Sequence, residues 1–248
     1  MILSSDKKVY YENDMVKRPM EKWSKSIHSL ISHFHKNGLP VPKFIKIENN
    51  YEYLEYIHGE LIHPNKWNNE LLYELAILVK KLHTIAKTFK YNDNMEWKKW
   101  YLREIGDPII CSHGDIATWN TITKGNKIIG LIDWEMAGPI DPIIELARIC
   151  WIFPQLFDDD LGKMHELSSP KTRAEQIRLI LDTYGLSKNE RKKFLDKIIE
   201  TIICETAHEA IDENVKINTI GKLWGMAWRN RSLYWIWRNK EIIKKAIE

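Results

Sequence analysis

The spacing of apolar positions changes character twice along the chain. Near the start, apolar residues come in short β-branched and aromatic runs, "KKVYY" and "MVK". The polar "END" between them predicts a tight turn joining two strands. In "EKWSKSIHSLISHFHKNG", Trp23, Ile27, Leu30, Ile31 and Phe34 recur at helical spacing, and Gly38 marks the stop. "LPVP" reads as an extended connector. "KFIKIEN" and "YEYLEYI" read as a hairpin closed by "NN". After Gly59 the period lengthens. "NNELLYELAILVKKLHTIAKTF" places Leu71, Leu75, Leu78, Leu82 and Ile85 on one helical face. The stretch from Tyr91 to Pro108 is charged, rich in Trp and without a clear period. "NTIT" and "IIGLID" then flank "KGNK", which predicts another hairpin. From Pro142 onward the pattern is mainly helical.

This order, a small strand-rich front, a hairpin and a large helical back, predicts an α+β protein of two lobes. The expected division is a reduced strand-rich N-terminal lobe, residues 1–57, and a helical C-terminal lobe, residues 58–248, that carries the hairpin. There is no internal repeat and no low-complexity tract.

Composition removes several function classes. Of the 248 residues 44% are hydrophobic, enough for a real core, and the net charge is only +3. No basic block suits nucleic acid and no acidic tail suggests disorder. Five of the eleven Trp, at 151, 224, 228, 235 and 237, concentrate in the helical part and read as packing. Cys111, Cys150 and Cys204 are far apart and odd in number, so neither a disulfide framework nor a zinc site is expected. The N-terminus turns polar after three residues, and no apolar run approaches the roughly 20 residues of a membrane span. A cytoplasmic protein is expected.

The chemistry concentrates in "HGDIATWN", His113 to Asn120, and the following "IDWE". With Thr123 paired to Ile128, Asn120 falls opposite Leu131, and Asp133 shares their face. A register slipped by one residue would separate them. Asp115 sits on the loop entering the hairpin. Two carboxylates and an amide oxygen around one point suit a hard cation such as Mg²⁺, which takes the rest of its shell from water and phosphate oxygens. The spacing from Asp115 to Asn120 is also that of the kinase catalytic loop. Asp and Asn are common turn residues; the complete set is a stronger signal than H-G-D alone.

"HGDIATWN", "LIDWEMAG" and "DPIIELA" together resemble the aminoglycoside phosphotransferase and choline kinase family of the protein-kinase-like fold. "VKRP", the following Trp-bearing helix, "YEYLEYIHGELI" and "LVKKLHTI" extend the resemblance to bacterial phosphotransferase-like proteins linked to trifolitoxin immunity, over about residues 7 to 155. The resemblance implies Asp115 as catalytic base, with His113 of the same motif buttressing the loop. It implies Asn120 and Asp133 as Mg²⁺ ligands, with Glu135 ordering the loop or reaching a metal through water. Lys17 matches the phosphate-contacting lysine. Arg18 competes with it, because successive strand residues face opposite sides. Glu55, Tyr56 and Ile57 would offer backbone groups to the base of ATP or GTP, and Asp141 would shape the catalytic loop. The chain departs from the family in having no glycine before Gly38, so no Gly-rich phosphate loop. Asp6, in the short turn that replaces the loop, would repel phosphate. The first helix also lacks an acid to pair with the lysine, and Glu145 stands where the family usually has Asp.

Glu205, Glu209 and Asp212 fall at helical spacing. With Trp224 and Trp228 they would suit a cationic acceptor such as an aminoglycoside or amino alcohol. A solvated acidic face and a core aromatic stripe are the plainer readings of the same residues. Two functions follow. One is a small-molecule O-phosphotransferase. The other is a non-catalytic pseudokinase-type resistance or immunity protein that binds a ligand, suggested by the missing loop and helix acid.

Overall fold

The computed structural model of the chain describes residues 1–4, 7–212 and 223–247, so Asp6 lies outside the described residues. The front lobe is a five-stranded antiparallel sheet. It comprises β1 (Ile2–Ser4), β2 (Val9–Glu12), β3 (Met15–Pro19), β4 (Phe44–Glu48) and β5 (Tyr51–Glu55), in the order β1-β2-β3-β5-β4. Its hairpins close as their turn residues require. Asn13 and Asp14 (φ 51° and 59°) link β2 to β3, and Asn49 and Asn50 (φ 50° and 61°) link β4 to β5. Asn and Asp tolerate this left-handed backbone, whose twist matches that of the flanking strands. Between β3 and β4, α1 (Ser24–Lys36) buries Ile27, Leu30, Ile31 and Phe34. It ends before Gly38 at φ 69°, a helix stop only glycine adopts easily.

The back lobe begins with α2 (Asn69–Ala86), capped by the Asn68 side chain, which accepts from the Leu71 amide at 2.8 Å. Two short antiparallel pairs follow: β6 (Ile110–Ser112) with β9 (Gly138–Ile140), and β7 (Thr121–Lys124) with β8 (Lys127–Leu131). The rest is helical: α3 (Pro142–Ile152), α4 (Asp159–Met164), α5 (Pro170–Tyr184), α6 (Lys188–Arg191), α7 (Phe194–Asp212), α8 (Leu223–Arg238) and α9 (Lys240–Ile247). α2 packs on α5, α5 on α9 and α3 on α7, around a core that includes Leu72, Leu75, Ile144, Trp151, Ile177 and Ile198. No described helix is long and apolar enough to cross a membrane. The architecture is the expected α+β, two-lobed one.

The tryptophans divide by role. Trp151 and Trp235 are buried, and Trp228 stacks on Trp151 at 5.1 Å between centroids, whereas Trp224 and Trp237 are 60% and 61% exposed. The aperiodic stretch from Tyr91 to Pro108 braces the loops beneath the sheet. Trp100 donates its indole N–H to the Gly114 carbonyl at 2.9 Å, and Arg103 donates to the Met136 and Ala137 carbonyls, each at 2.7 Å. Segments that serve loops have no reason to follow a helix or strand period.

Candidate active site

Glu145 organises the loop that carries Asp115. It is 1% exposed and accepts from the Ser112 hydroxyl and the Gly114 amide, each at 2.6 Å, with His83 Nε2 at 2.7 Å. Burial alone would raise its carboxyl; the bonds from His83, Ser112 and Gly114 outweigh this and hold it below the usual carboxylate range. Asp141, expected to shape the loop, does something else. Its Oδ1 accepts from the Ile143 amide at the start of α3, and its Oδ2 from the Asp107 amide, both at 2.7 Å. The Glu that replaces the family's usual Asp therefore does the organising.

Gly114 has φ 78°, and a Cβ there would lie 2.4 Å from the Met136 carbonyl oxygen. Only glycine fits this position. His113 is fully buried: Nε2 donates to the Ile132 carbonyl at 2.9 Å, while Nδ1 accepts from the Asp115 amide at 3.2 Å. It ties the loop that carries Asp115 to the residue that follows β8.

Asp115 is gripped from both sides. Its Oδ1 meets Arg148 Nη2 at 2.6 Å, and its Oδ2 accepts from Asn120 Nδ2 at 2.9 Å. Burial raises the Asp115 carboxyl above its ordinary value, opposed by the charge of Arg148. Arg148, itself buried, also donates to the Ile116 carbonyl at 3.1 Å and pairs with Glu205. Arg229 pairs in turn with Glu205 (3.5 Å) and Glu209. The result is an alternating chain of charges, Asp115, Arg148, Glu205, Arg229 and Glu209, running from the loop into α7 and α8.

This overturns the acidic acceptor lining. Glu205 is 1% exposed and both its oxygens face arginines, while Glu209 faces Arg229. Neither offers uncompensated charge to a cation. Trp224 stands exposed on α8, and Trp228 packs against Trp151 and Phe157 rather than walling a site.

The hairpin register also differs from expectation. Thr123 does pair with Ile128, but an irregularity between Ile122 and Thr123 shifts the rest, so Thr121 lies opposite Leu131. The Asn120 carbonyl therefore accepts from the Ile132 amide at 2.9 Å. A regular ladder would then separate Asn120 and Asp133. Both escape the ladder: Asn120 closes a 3₁₀ turn (Thr118–Asn120), and Asp133 takes φ 58°, ψ 65°. Both line one cleft. The left-handed Asp133, rather than strand alternation, brings them to the same space.

That cleft, about 920 Å³, lies between the sheet and the hairpin. Val16 and Leu54 contribute from the sheet, Ile122 and Ile132 from the hairpin side, and Glu55, Tyr56 and Ile57 from the connection between lobes. Asp115 is not among its lining residues and joins it through Asn120. The Glu55 amide already donates to the Lys43 carbonyl (2.9 Å) and the Tyr56 amide to the Asp14 carbonyl (3.0 Å). Among the described residues, the Ile57 amide has no acceptor.

Lys17 is not in the cleft. Strand alternation turns it to the opposite face of β3, where it meets Glu12 at 3.3 Å and lies over the Tyr51 ring at 5.1 Å. Arg18 faces the cleft instead, with Nη1 3.8 Å from Asp133 Oδ1. Lys7, just before β2, reaches Glu135 at 2.8 Å and Asp133 at 3.5 Å, and Lys98 reaches Glu135 at 2.6 Å. Burial would raise the Glu135 carboxyl, but Lys7 and Lys98 hold it below the usual range. Glu135 is thus an anchor for two lysines.

The donor set fits a divalent cation shared with phosphate. The Asp133 carboxylate is 39% exposed, and Asn120, with Nδ2 committed to Asp115, has no donor to its Oδ1 among the described residues. No group of three or more His, Cys, Asp or Glu able to hold a metal occurs among those residues. A two-residue site of this kind suits a divalent cation that takes the rest of its shell from phosphate oxygens and water, rather than one held in a protein cage.

Fold and loop together define a kinase-like phosphotransferase. The model of the "phosphotransferase enzyme family" matches residues 93–177, the stretch that holds the catalytic loop, the hairpin and α3. The chain is 35% identical to the trifolitoxin immunity protein of Rhizobium leguminosarum bv. trifolii, over 91% of this chain and 89% of that one. It belongs to this phosphotransferase family. Among solved structures, an amicoumacin kinase in complex with AMP-PNP, Ca²⁺ and amicoumacin superposes with a TM-score of 0.65. Its identity is 12%, covering 96% of this chain and 84% of that one. A Plasmodium vivax ethanolamine kinase gives 0.59 at 14% identity, covering 91% and 77%. These share the fold.

Proposed function

We propose that the chain transfers the γ-phosphate of ATP or GTP to a hydroxyl of a small molecule, with Mg²⁺ held by Asn120 and Asp133. One observation carries the reading: Asn120, which holds the Asp115 carboxylate, and the left-handed Asp133 line the same cleft as the apolar side chains of Val16, Leu54, Ile122 and Ile132. Val16, Leu54, Ile122 and Ile132 suit the faces of a purine, and the Ile57 amide is available to its edge. Bound Mg²⁺ would neutralise charge on the phosphate oxygens. Asp115 orients the acceptor hydroxyl. As its oxygen bonds to the γ-phosphorus, the bond to the bridging oxygen of the nucleoside diphosphate breaks and the proton passes to the Asp115 carboxylate. Arg148 and Asn120 hold that carboxylate in one orientation, which is where most of the catalytic advantage arises in this chemistry.

The acceptor is a hydroxyl-bearing small molecule. The immunity role named for the 35%-identical relative supports a protective phosphorylation. A second reading, a non-catalytic binding protein, draws on the Lys7 ammonium lying against Asp133 and Glu135, where a metal-bearing nucleotide would have to displace it. Incubating the protein and Asp115→Asn with γ-labelled ATP or GTP and a small-molecule extract separates the two. Transfer of label by the wild type but not the variant supports the enzyme. Nucleotide binding without transfer or hydrolysis supports the binder.

A further inference from the structure

The family pattern pairs a strand lysine with a helix carboxylate, and this chain has neither in place. Lys17 faces away from the cleft, and α1 contains no acid. A different set of charges joins β3, β5 and α1. Arg18 on β3 lines the cleft and donates its Nε to Glu52 Oε1 on β5, directly across the ladder. The other oxygen of Glu52 is taken by His28 Nε2 of α1. Glu52 and His28 are 2% and 7% exposed, and the His28 ring stacks on Phe44 at 4.0 Å. Burial alone would raise the Glu52 carboxyl; His28 and Arg18 outweigh it and keep it charged.

The geometry leaves Arg18 half used. One edge of the guanidinium is fixed by Glu52. Its Nη groups make no hydrogen bond among the described residues, and Nη1 stands 3.8 Å from Asp133. A planar fork with one anchored edge and one free edge facing a metal-binding carboxylate is built for a phosphate oxygen pair. Lys7 also faces the cleft, but its side chain is 54% exposed and Glu135 and Asp133 occupy it. A merely structural ion pair would not need to face the cleft beside Asp133.

We propose that Arg18 is the phosphate-contacting cation of this cleft and that Glu52, fixed by His28 of α1, positions it. The pair of strand lysine and helix acid is thereby replaced by strand arginine, strand glutamate and helix histidine. This rests on the nucleotide reading given above and assigns the residue that grips the phosphates within it.

The test is calorimetric titration of the full chain with MgATP and, separately, with adenosine, which has the base but no phosphate. Arg18→Met weakens MgATP by about tenfold or more, the loss of one charge-assisted contact, and leaves adenosine within about twofold. Lys17→Met leaves both unchanged. Glu52→Gln, which keeps the Arg18 charge but loosens its anchor, weakens MgATP severalfold and spares adenosine. Should Arg18→Met fold poorly with Glu52 left buried, the double variant Arg18→Met/Glu52→Gln removes both partners and reads the same difference. Unchanged MgATP affinity in the Arg18 variants overturns the proposal, as does equal loss of MgATP and adenosine, or loss through Lys17→Met instead. Failure of the wild type to bind any purine nucleotide is a different result, and it removes the nucleotide reading itself.

Discussion

Arg148 Nη2 lies 2.6 Å from Asp115 Oδ1, and the same guanidinium reaches the Ile116 carbonyl and Glu205. One buried cation thus fixes the Asp115 carboxylate proposed as base, the backbone next to it and the helix behind it. Lysine keeps the charge but not the geometry needed for three acceptors. Arg148→Lys is expected to lower turnover by about a hundredfold, the scale of a small misplacement of a reacting group. MgATP affinity should stay within about twofold, because Arg148 does not line the cleft. Steady-state kinetics beside calorimetry check the split. A proportional loss of nucleotide affinity would mean that Arg148 supports the fold of the whole cleft instead.

Glu145 gives the structure an acid-sensitive point. Its carboxyl is held below the usual range in the folded chain. Its stabilising contribution is therefore complete above the pKa of the unfolded chain and is lost as pH falls through the depressed folded value. Glu145→Gln, which removes the buried charge and sets an NH₂ group in place of one of the two oxygens that accept from His83, Ser112 and Gly114, should cost about 3 kcal/mol near neutral pH. The gap from wild type should narrow as pH falls from neutral through the depressed folded value, below which the wild-type carboxyl is protonated as well. Thermal melts of both proteins across this range test it. A gap independent of pH would contradict it.

Gly114 permits only its own residue type. Alanine would combine a strained left-handed backbone with a Cβ 2.4 Å from the Met136 oxygen. Gly114→Ala is expected to cost at least ~2 kcal/mol and to displace Asp115, so that activity falls further than stability alone explains. Melting temperature and turnover measured on the same preparation would reveal this. Unaltered turnover would show that the loop tolerates the shift.

How far the residues alone carry the account depends on the distance over which each interaction acts. Hairpins closed by "NN" and "END" are written locally, because Asn and Asp accept φ near 50–60°. The stripe of α1 and the face of α2 are periodic and so are visible too. Asn120 and the later Asp133 do line one cleft, with Asp115 joined to it through Asn120, but the reason is not the one strand alternation offers. The irregularity between Ile122 and Thr123 and the left-handed turn at Asp133 replaced the simple strand alternation from which their convergence was argued. Arg148 and Glu52 were missed, and Glu145 was legible only as a replacement for the family's Asp, because their partners are far off in sequence: Arg148 is 33 residues from Asp115, Glu52 is 34 from Arg18 and Glu145 is 62 from His83. A carboxylate on a β-branched or aromatic strand, as in "YEYLEYI", is the one local hint of a buried partner. Glu205 misled for the same cause: helical spacing shows which face it occupies, not that arginines face it.

The central claim is that the cleft holds a metal-bearing nucleotide through Asp133. The most direct measurement is titration of ATP and GTP into the wild type and Asp133→Ala, each with and without Mg²⁺. The account predicts Mg²⁺-dependent binding in the wild type that falls at least tenfold in the variant, as expected for loss of a metal-ligating carboxylate. Binding that ignores Mg²⁺, or that survives Asp133→Ala unchanged, would contradict it.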